Sequence, residues 1–199
     1  MGRGLEGRTV RLNVPTLLTV LRILTIPLVA LAFYLPLEWA RPLSTLFFTV
    51  AAVTDAFDGW LARRWNQTTA FGAFLDPVAD KLLVAVSLVL LVEDAGSFVV
   101  TLMAVIIIGR EITVSALREW MAHVGARARV AVSAIGKSKT IIQMVGIGMM
   151  LFQYPLFGLP VYELGVVLLL AASAVTLWSM VDYLRAAWPE LTASRRLDG

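Results

Sequence analysis

The chain has 199 residues, of which 59% are hydrophobic and only 16% charged, with a formal net charge of +3 and a mean hydropathy of +0.81. This balance excludes an ordinary soluble domain, which carries fewer apolar and more charged residues. The lack of any cysteine excludes disulfides and thiolate chemistry. The basic excess follows membrane topology, as set out below, so it gives no reason to expect a nucleic-acid partner.

Taken in order, the chain opens with Arg3, Arg8 and Arg11 ahead of an apolar run. That run has no small-residue cleavage site and is interrupted by Arg22, so the opening reads as a short juxtamembrane segment and not as a cleaved signal. Six apolar segments follow, at 17–37, 44–63, 71–92, 97–122, 138–153 and 161–185. Basic residues gather on one side of the resulting plan: Arg63, Arg64, Arg127, Arg129, Lys137 and Lys139 in connections, with Arg195 and Arg196 at the end. The opposite connections are short and hold Arg41, Glu38, Glu93 and Asp94. The positive-inside rule then puts both termini in the cytoplasm. The expected fold is all-α: a polytopic membrane protein of six transmembrane helices in the cytoplasmic (inner) membrane, with residues 1–199 forming a single domain.

Four acids interrupt this pattern. Asp55 and Asp58 lie in the last third of the second segment, and Asp76 and Asp80 in the first third of the third. A charge at the centre of a membrane helix costs about 2.5–3.5 kcal/mol on insertion scales, so four of them point to function. Spacings of three and four residues put each pair on one helix face. At 1.5 Å per residue Asp55 lies roughly 12 Å from the Arg63 end, with Asp80 at a similar depth, so all four share one level open to the cytoplasm. Gly59 and Gly72 allow close approach beside them. Pro77 is expected to bend the third segment or break its first turn. Facing rows of carboxylates suit hard divalent cations, Mg2+ or Mn2+, and two ions fit between two rows. Ion pairing of the acids with Arg63, Lys81 or Arg110 accounts for only one or two of them.

The run from Asp55 to Asp80 reads D-x2-D-G-x2-A-R-x8-G-x3-D-x3-D, with Ala62 and Arg63 in the middle. It resembles the signature of the CDP-alcohol phosphatidyltransferases at all eight fixed positions. The resemblance implies transfer of a substituted phosphate from a CDP-linked lipid to an alcohol, with release of CMP. It implies that Asp55, Asp58, Asp76 and Asp80 bind metal and that Asp80 is the general base. It also implies that Asn13, Thr16, Gly59, Arg63 and Thr69 hold the CDP group of CDP-diacylglycerol, and it suggests a homodimer.

Three further stretches, at 13–22, 109–121 and 135–140, resemble the bacterial phosphatidylglycerophosphate synthases, whose acceptor is sn-glycerol 3-phosphate. Arg110 and Arg118 are eight residues apart, about 80° around a helix, so both can edge one cavity. Lys137 and Lys139 sit near a helix N-terminus, which favours phosphate; ordinary topology charge explains these two lysines equally well. Glu111 and Glu119 are placed to orient Arg118 or Lys139. Arg22 is placed to snorkel or to touch the donor diphosphate. His123 and the tryptophans Trp39, Trp65, Trp120 and Trp188 read as interfacial. Inositol phosphate and phosphatidylglycerol are the alternative acceptors. A prenyltransferase would space its aspartates differently, and a cation transporter would place its acids nearer the midplane.

Overall fold

The computed structural model describes residues 14–65, 70–123 and 134–193. Among these are six α-helices and no β-strand: α1 Val14–Phe33, α2 Ala40–Trp65, α3 Ala70–Ala95, α4 Phe98–His123, α5 Ala134–Phe152 and α6 Val161–Ala193. Each helix covers one predicted apolar segment. The expected juxtamembrane segment lies outside the described residues. Two boundaries differ from expectation for local reasons. α1 stops at Phe33, because Pro36 disfavours a helical Leu35, and the Leu35 N–H turns back to the Ala32 carbonyl at 3.3 Å. α3 runs through Pro77 without the expected break; a proline in the early turns of a helix packed on neighbours is tolerated.

α4 over Phe98–Ala122 and α6 over Val161–Arg185 are long and apolar enough to cross a membrane, and Leu17–Phe33 and Lys139–Phe152 form shorter apolar helices. α1 packs on α2 and α3, α2 on α5, and α3 on α4 and α5. α6 packs on both α4 and α5, which do not pack on each other among the described residues. The shared hydrophobic core includes the fully buried Val29, Leu88, Ile107, Leu151 and Leu169. Large apolar side chains also cover the outside, among them Leu31, Val105, Ile112 and Trp178, as expected of helices solvated by lipid.

One end of the bundle is tied by polar contacts among its short connections. Arg41 at the start of α2 pairs with Asp94 at the end of α3 and lies 3.7 Å from the centre of the Phe33 ring. Tyr34 donates to Glu93 at 2.8 Å, Gln153 to Asp94 at 3.3 Å, and Tyr154 to the Glu38 carbonyl at 2.8 Å. Gly96 caps α3 in the left-handed region, with φ +52, its N–H reaching the Val92 carbonyl at 3.3 Å. These contacts join the α1–α2, α3–α4 and α5–α6 connections. The aspartates Asp55, Asp76 and Asp80 of the second and third helices lie toward the opposite end.

α5 and α6 meet backbone to backbone at Gly146 and Gly165. A Cβ built on Gly165 would stand 2.9 Å from the Gly146 carbonyl oxygen and 2.8 Å from Met150 Cγ. Close approach of this kind is how small residues let membrane helices pack. Gly165→Ala should therefore lower stability by about 1–3 kcal/mol, the usual cost of overpacking. Gly109→Ala, where a Cβ meets nothing within 4 Å, should leave stability unchanged or slightly raised. Thermal unfolding of the detergent-solubilised variants checks both.

Candidate functional site

Three of the four predicted aspartates are described with their side chains, and they lie together. Asp55 of α2 and Asp80 of α3 line one cavity. The charge of Asp76 acts on Asp55, and that of Asp55 acts on Asp80. The third wall of this cluster is α1, the helix expected to bring Thr16 and Arg22 to the donor; its Thr19 carried no such expectation. Thr19 donates a hydrogen bond to Asp76, and Arg22 pairs with Asp55. Residues 19 and 22 are three apart, so one face of α1 serves both acidic helices. Arg22 does not snorkel: its side chain is fully buried, whereas that of Asp55 is 41% exposed toward the cavity. Asp55 has a countercharge in Arg22, and among the described side chains neither Lys81 nor Arg110 pairs with it; the side chain of Arg63 lies outside those described.

A second cluster lies beside the first and is cationic. Arg110 and Lys139 are both buried, and the charges of Arg110, Arg118 and Glu111 all act on Lys139. Glu111, expected to orient Arg118 or Lys139, pairs with Arg110 instead and reaches Lys139 by charge alone. Two side chains of α6, also unassigned from sequence, complete the cluster. Lys139 Nζ donates to Ser179 Oγ at 2.8 Å. Arg118 Nη2 donates to the Tyr183 hydroxyl at 3.2 Å, its guanidinium 5.3 Å from that ring centre. The Nε groups of Arg110 and Arg118 are buried and make no hydrogen bond among the described residues. Buried donors of this kind are costly unless an acceptor arrives. The two clusters are near enough that Glu111 of the second acts electrostatically on Asp80 of the first, as do Asp55, Arg22 and Lys81.

The cavity that holds Asp55 and Asp80 has a volume of about 670 Å³ and runs between α2 and α5. Asp55, Asp80 and Thr140 stand at one end; Thr45, Phe152 and Val161 stand at the other. Twelve residues of α5 separate Thr140 from Phe152, so the cavity extends over about 18 Å. Its wall between these ends is apolar, with Phe48, Ala52, Met144 and Gly148 exposed to it. One carboxylate-lined end and a long apolar remainder suit an amphiphile.

The donor set fits a hard divalent cation in its chemistry: carboxylate oxygens from two helices, with a guanidinium already neutralising one of them. Among the described residues no three His, Cys, Asp or Glu side chains converge closely enough to complete a metal shell. Asp58, the remaining predicted ligand, lies outside the described side chains. So do Thr16, Gly59, Arg63 and Lys137, although their backbones belong to α1, α2 and α5. Asn13 and Thr69 lie outside the described residues altogether.

Comparison with known proteins gives a family. A family model described as CDP-alcohol phosphatidyltransferase matches residues 12–178. The chain is 54% identical over 179 residues to proteins named CDP-diacylglycerol–glycerol-3-phosphate 3-phosphatidyltransferase from Salmonella choleraesuis (strain SC-B67) and Escherichia coli (strain K12). A protein of the same name from Shigella flexneri serotype 5b (strain 8401) is similar to the same extent. Each alignment covers 90% of this chain and 97% of the relative.

The unequal burial of Arg22 and Asp55 sets an order of stability. Asp55→Asn removes one carboxylate from a fully buried guanidinium and should cost about 1–3 kcal/mol, the weight of a hydrogen bond to a charged group. Asp76→Asn, which keeps a hydrogen-bond acceptor for Thr19, should cost less. Thermal unfolding in chelator ranks the two, and equal melting temperatures would remove the Arg22–Asp55 pair as a structural tie.

Proposed function

Since the chain belongs to the CDP-alcohol phosphatidyltransferase family and is a membrane protein, we propose that it transfers the phosphatidyl group of CDP-diacylglycerol to sn-glycerol 3-phosphate. The products are phosphatidylglycerophosphate and CMP. The carrying observation is the nearness of two unlike clusters: a carboxylate group at the head of an apolar cavity, and a cationic group whose buried guanidinium Nε donors have no hydrogen-bond partner among the described residues. The identity to relatives that bear this activity in their names supports the same reading.

In this reading the donor's acyl region lies along the apolar wall between α2 and α5, and its diphosphate comes to the aspartate end. Asn13, Thr16, Gly59, Arg63 and Thr69 hold the CDP group. The family uses divalent metal, and Asp55, Asp58, Asp76 and Asp80 would hold two Mg2+ or Mn2+ ions. Bound there, the metal neutralises diphosphate charge and eases departure of CMP. Arg110, Arg118, Lys137 and Lys139 bind the acceptor's phosphate, since guanidinium groups match phosphate oxygens in geometry and charge. Asp80, at the junction, takes the proton of the acceptor hydroxyl as its oxygen bonds to the donor phosphorus and the bond to CMP breaks. The reaction is a direct displacement with no covalent enzyme intermediate. The chain works as one domain of six membrane spans in the inner membrane, both termini and the site facing the cytoplasm, and it pairs as a homodimer.

Purified protein in detergent with CDP-diacylglycerol, Mg2+ and labelled glycerol 3-phosphate should release CMP and form labelled lipid. No CMP from glycerol 3-phosphate, with release from phosphatidylglycerol or inositol phosphate, would overturn the acceptor. Asp80→Asn should slow turnover by about 10²- to 10⁴-fold, the range for a general base, while CDP-diacylglycerol binding persists. Arg110→Ala should raise the KM for glycerol 3-phosphate by about tenfold or more with a smaller effect on the lipid donor. Equal changes in both KM values would make Arg110 structural.

A further inference from the structure

We infer that Ser179 of α6 is a positioning residue that fixes the Lys139 ammonium inside the cation cluster and thereby sets affinity for the acceptor's phosphate. The inference rests on the reading of Arg110, Arg118 and Lys139 as the acceptor-phosphate site.

Lys139 has a placement problem. Its ammonium is a compact charge on a flexible four-carbon stem, buried beside two other cations, Arg110 and Arg118, that repel it. Among the described residues the carboxylate acting on it is Glu111, which is already paired with Arg110. α4 and α5 do not pack on each other among the described residues, so neither helix by itself fixes the spacing between their cations. α6 packs on both, and Ser179 is its contact with Lys139, at 2.8 Å.

The chemistry of that contact is specific. Ser179 Oγ also lies 2.9 Å from the Thr176 carbonyl one turn earlier, to which it donates its only proton. The lone pairs of Ser179 then face Lys139, and the hydroxyl is committed as an acceptor. A neutral acceptor holds the ammonium without cancelling its charge. A carboxylate in the same place would hold it more strongly but neutralise it and repel the incoming phosphate. Serine therefore keeps three positive charges together and leaves them available to a dianion.

Kinetics on the full-length protein in mixed micelles test this, with KM for glycerol 3-phosphate, KM for CDP-diacylglycerol and kcat measured separately. Ser179→Ala should raise the KM for glycerol 3-phosphate by about tenfold, the weight of one hydrogen bond to a charged group, with kcat and the donor KM close to wild type. Ser179→Thr, which retains the hydroxyl, should restore the acceptor KM. Ser179→Asp should weaken acceptor binding more than Ser179→Ala. Ser173→Ala, at a serine that makes the same kind of bond to its own helix through the Leu170 carbonyl, should change none of the three. In a Lys139→Met background Ser179→Ala should have no further effect. If Lys139→Met raises the acceptor KM but Ser179→Ala does not, Ser179 has no positioning role and the acceptor site stands. If Ser179→Ala changes both KM values and kcat alike and threonine does not rescue, the serine is only structural. If Lys139→Met leaves the acceptor KM unchanged, the acceptor site itself is misassigned and the inference falls with it.

Discussion

Charge inside an apolar bundle is the constraint on which this structure depends. Lipid and packed side chains solvate ions poorly, so a buried charge needs a partner, whether on a neighbouring helix, as for Arg22, or on its own, as for Arg110. The deepest instance is Arg22, fully buried on α1 and paired with Asp55 of α2. With Thr19 on Asp76, it makes α1 the brace of the acidic helices. On the other side α6 plays the same part for the cations, through Ser179 on Lys139 and Tyr183 on Arg118.

The helices accordingly form two groups of three: α1, α2 and α3 around carboxylates, and α4, α5 and α6 around cations. They are joined where α2 and α3 pack on α5 and where α3 packs on α4. Asp80 and Glu111 act on each other across that junction. The acidic and the cationic clusters thus lie side by side in one poorly screened interior, and the proposed reading places the donor at the first and the acceptor at the second. At the far end, the contacts of Arg41 with Asp94 and of Tyr34 with Glu93 hold the short connections in place.

The two clusters differ in how they are balanced. At the acids, a guanidinium neutralises Asp55. At the cations, the α6 contacts are hydroxyls, which position charge without removing it. Three cations held against one carboxylate, itself paired with Arg110, leave a positive excess and unsatisfied Nε donors. A phosphate dianion relieves both.

Local pattern was enough to read the helices. All six apolar segments were legible, because a helix in an apolar surrounding satisfies its own backbone and is written in a continuous stretch of chain. The aspartate signature was legible too, since its spacing of three and four residues places each pair on a face by helix geometry alone. Arg110, Arg118 and Lys139 stood out as charges at one depth, expected to share a site, and the fold brings them together with Ser179 and Tyr183. Thr19, Ser179 and Tyr183 carried no comparable signal, because hydroxyl side chains are ordinary in membrane helices, and Arg22 had several readings open to it. The same holds for Gly146 and Gly165, whose mutual contact follows from how two helices cross. Sequence alone determined the helices, the acids and the kind of chemistry they suit. Which helix answers each charge was decided only by tertiary packing, since the partner of a buried ion is fixed by distance in space and not by separation along the chain.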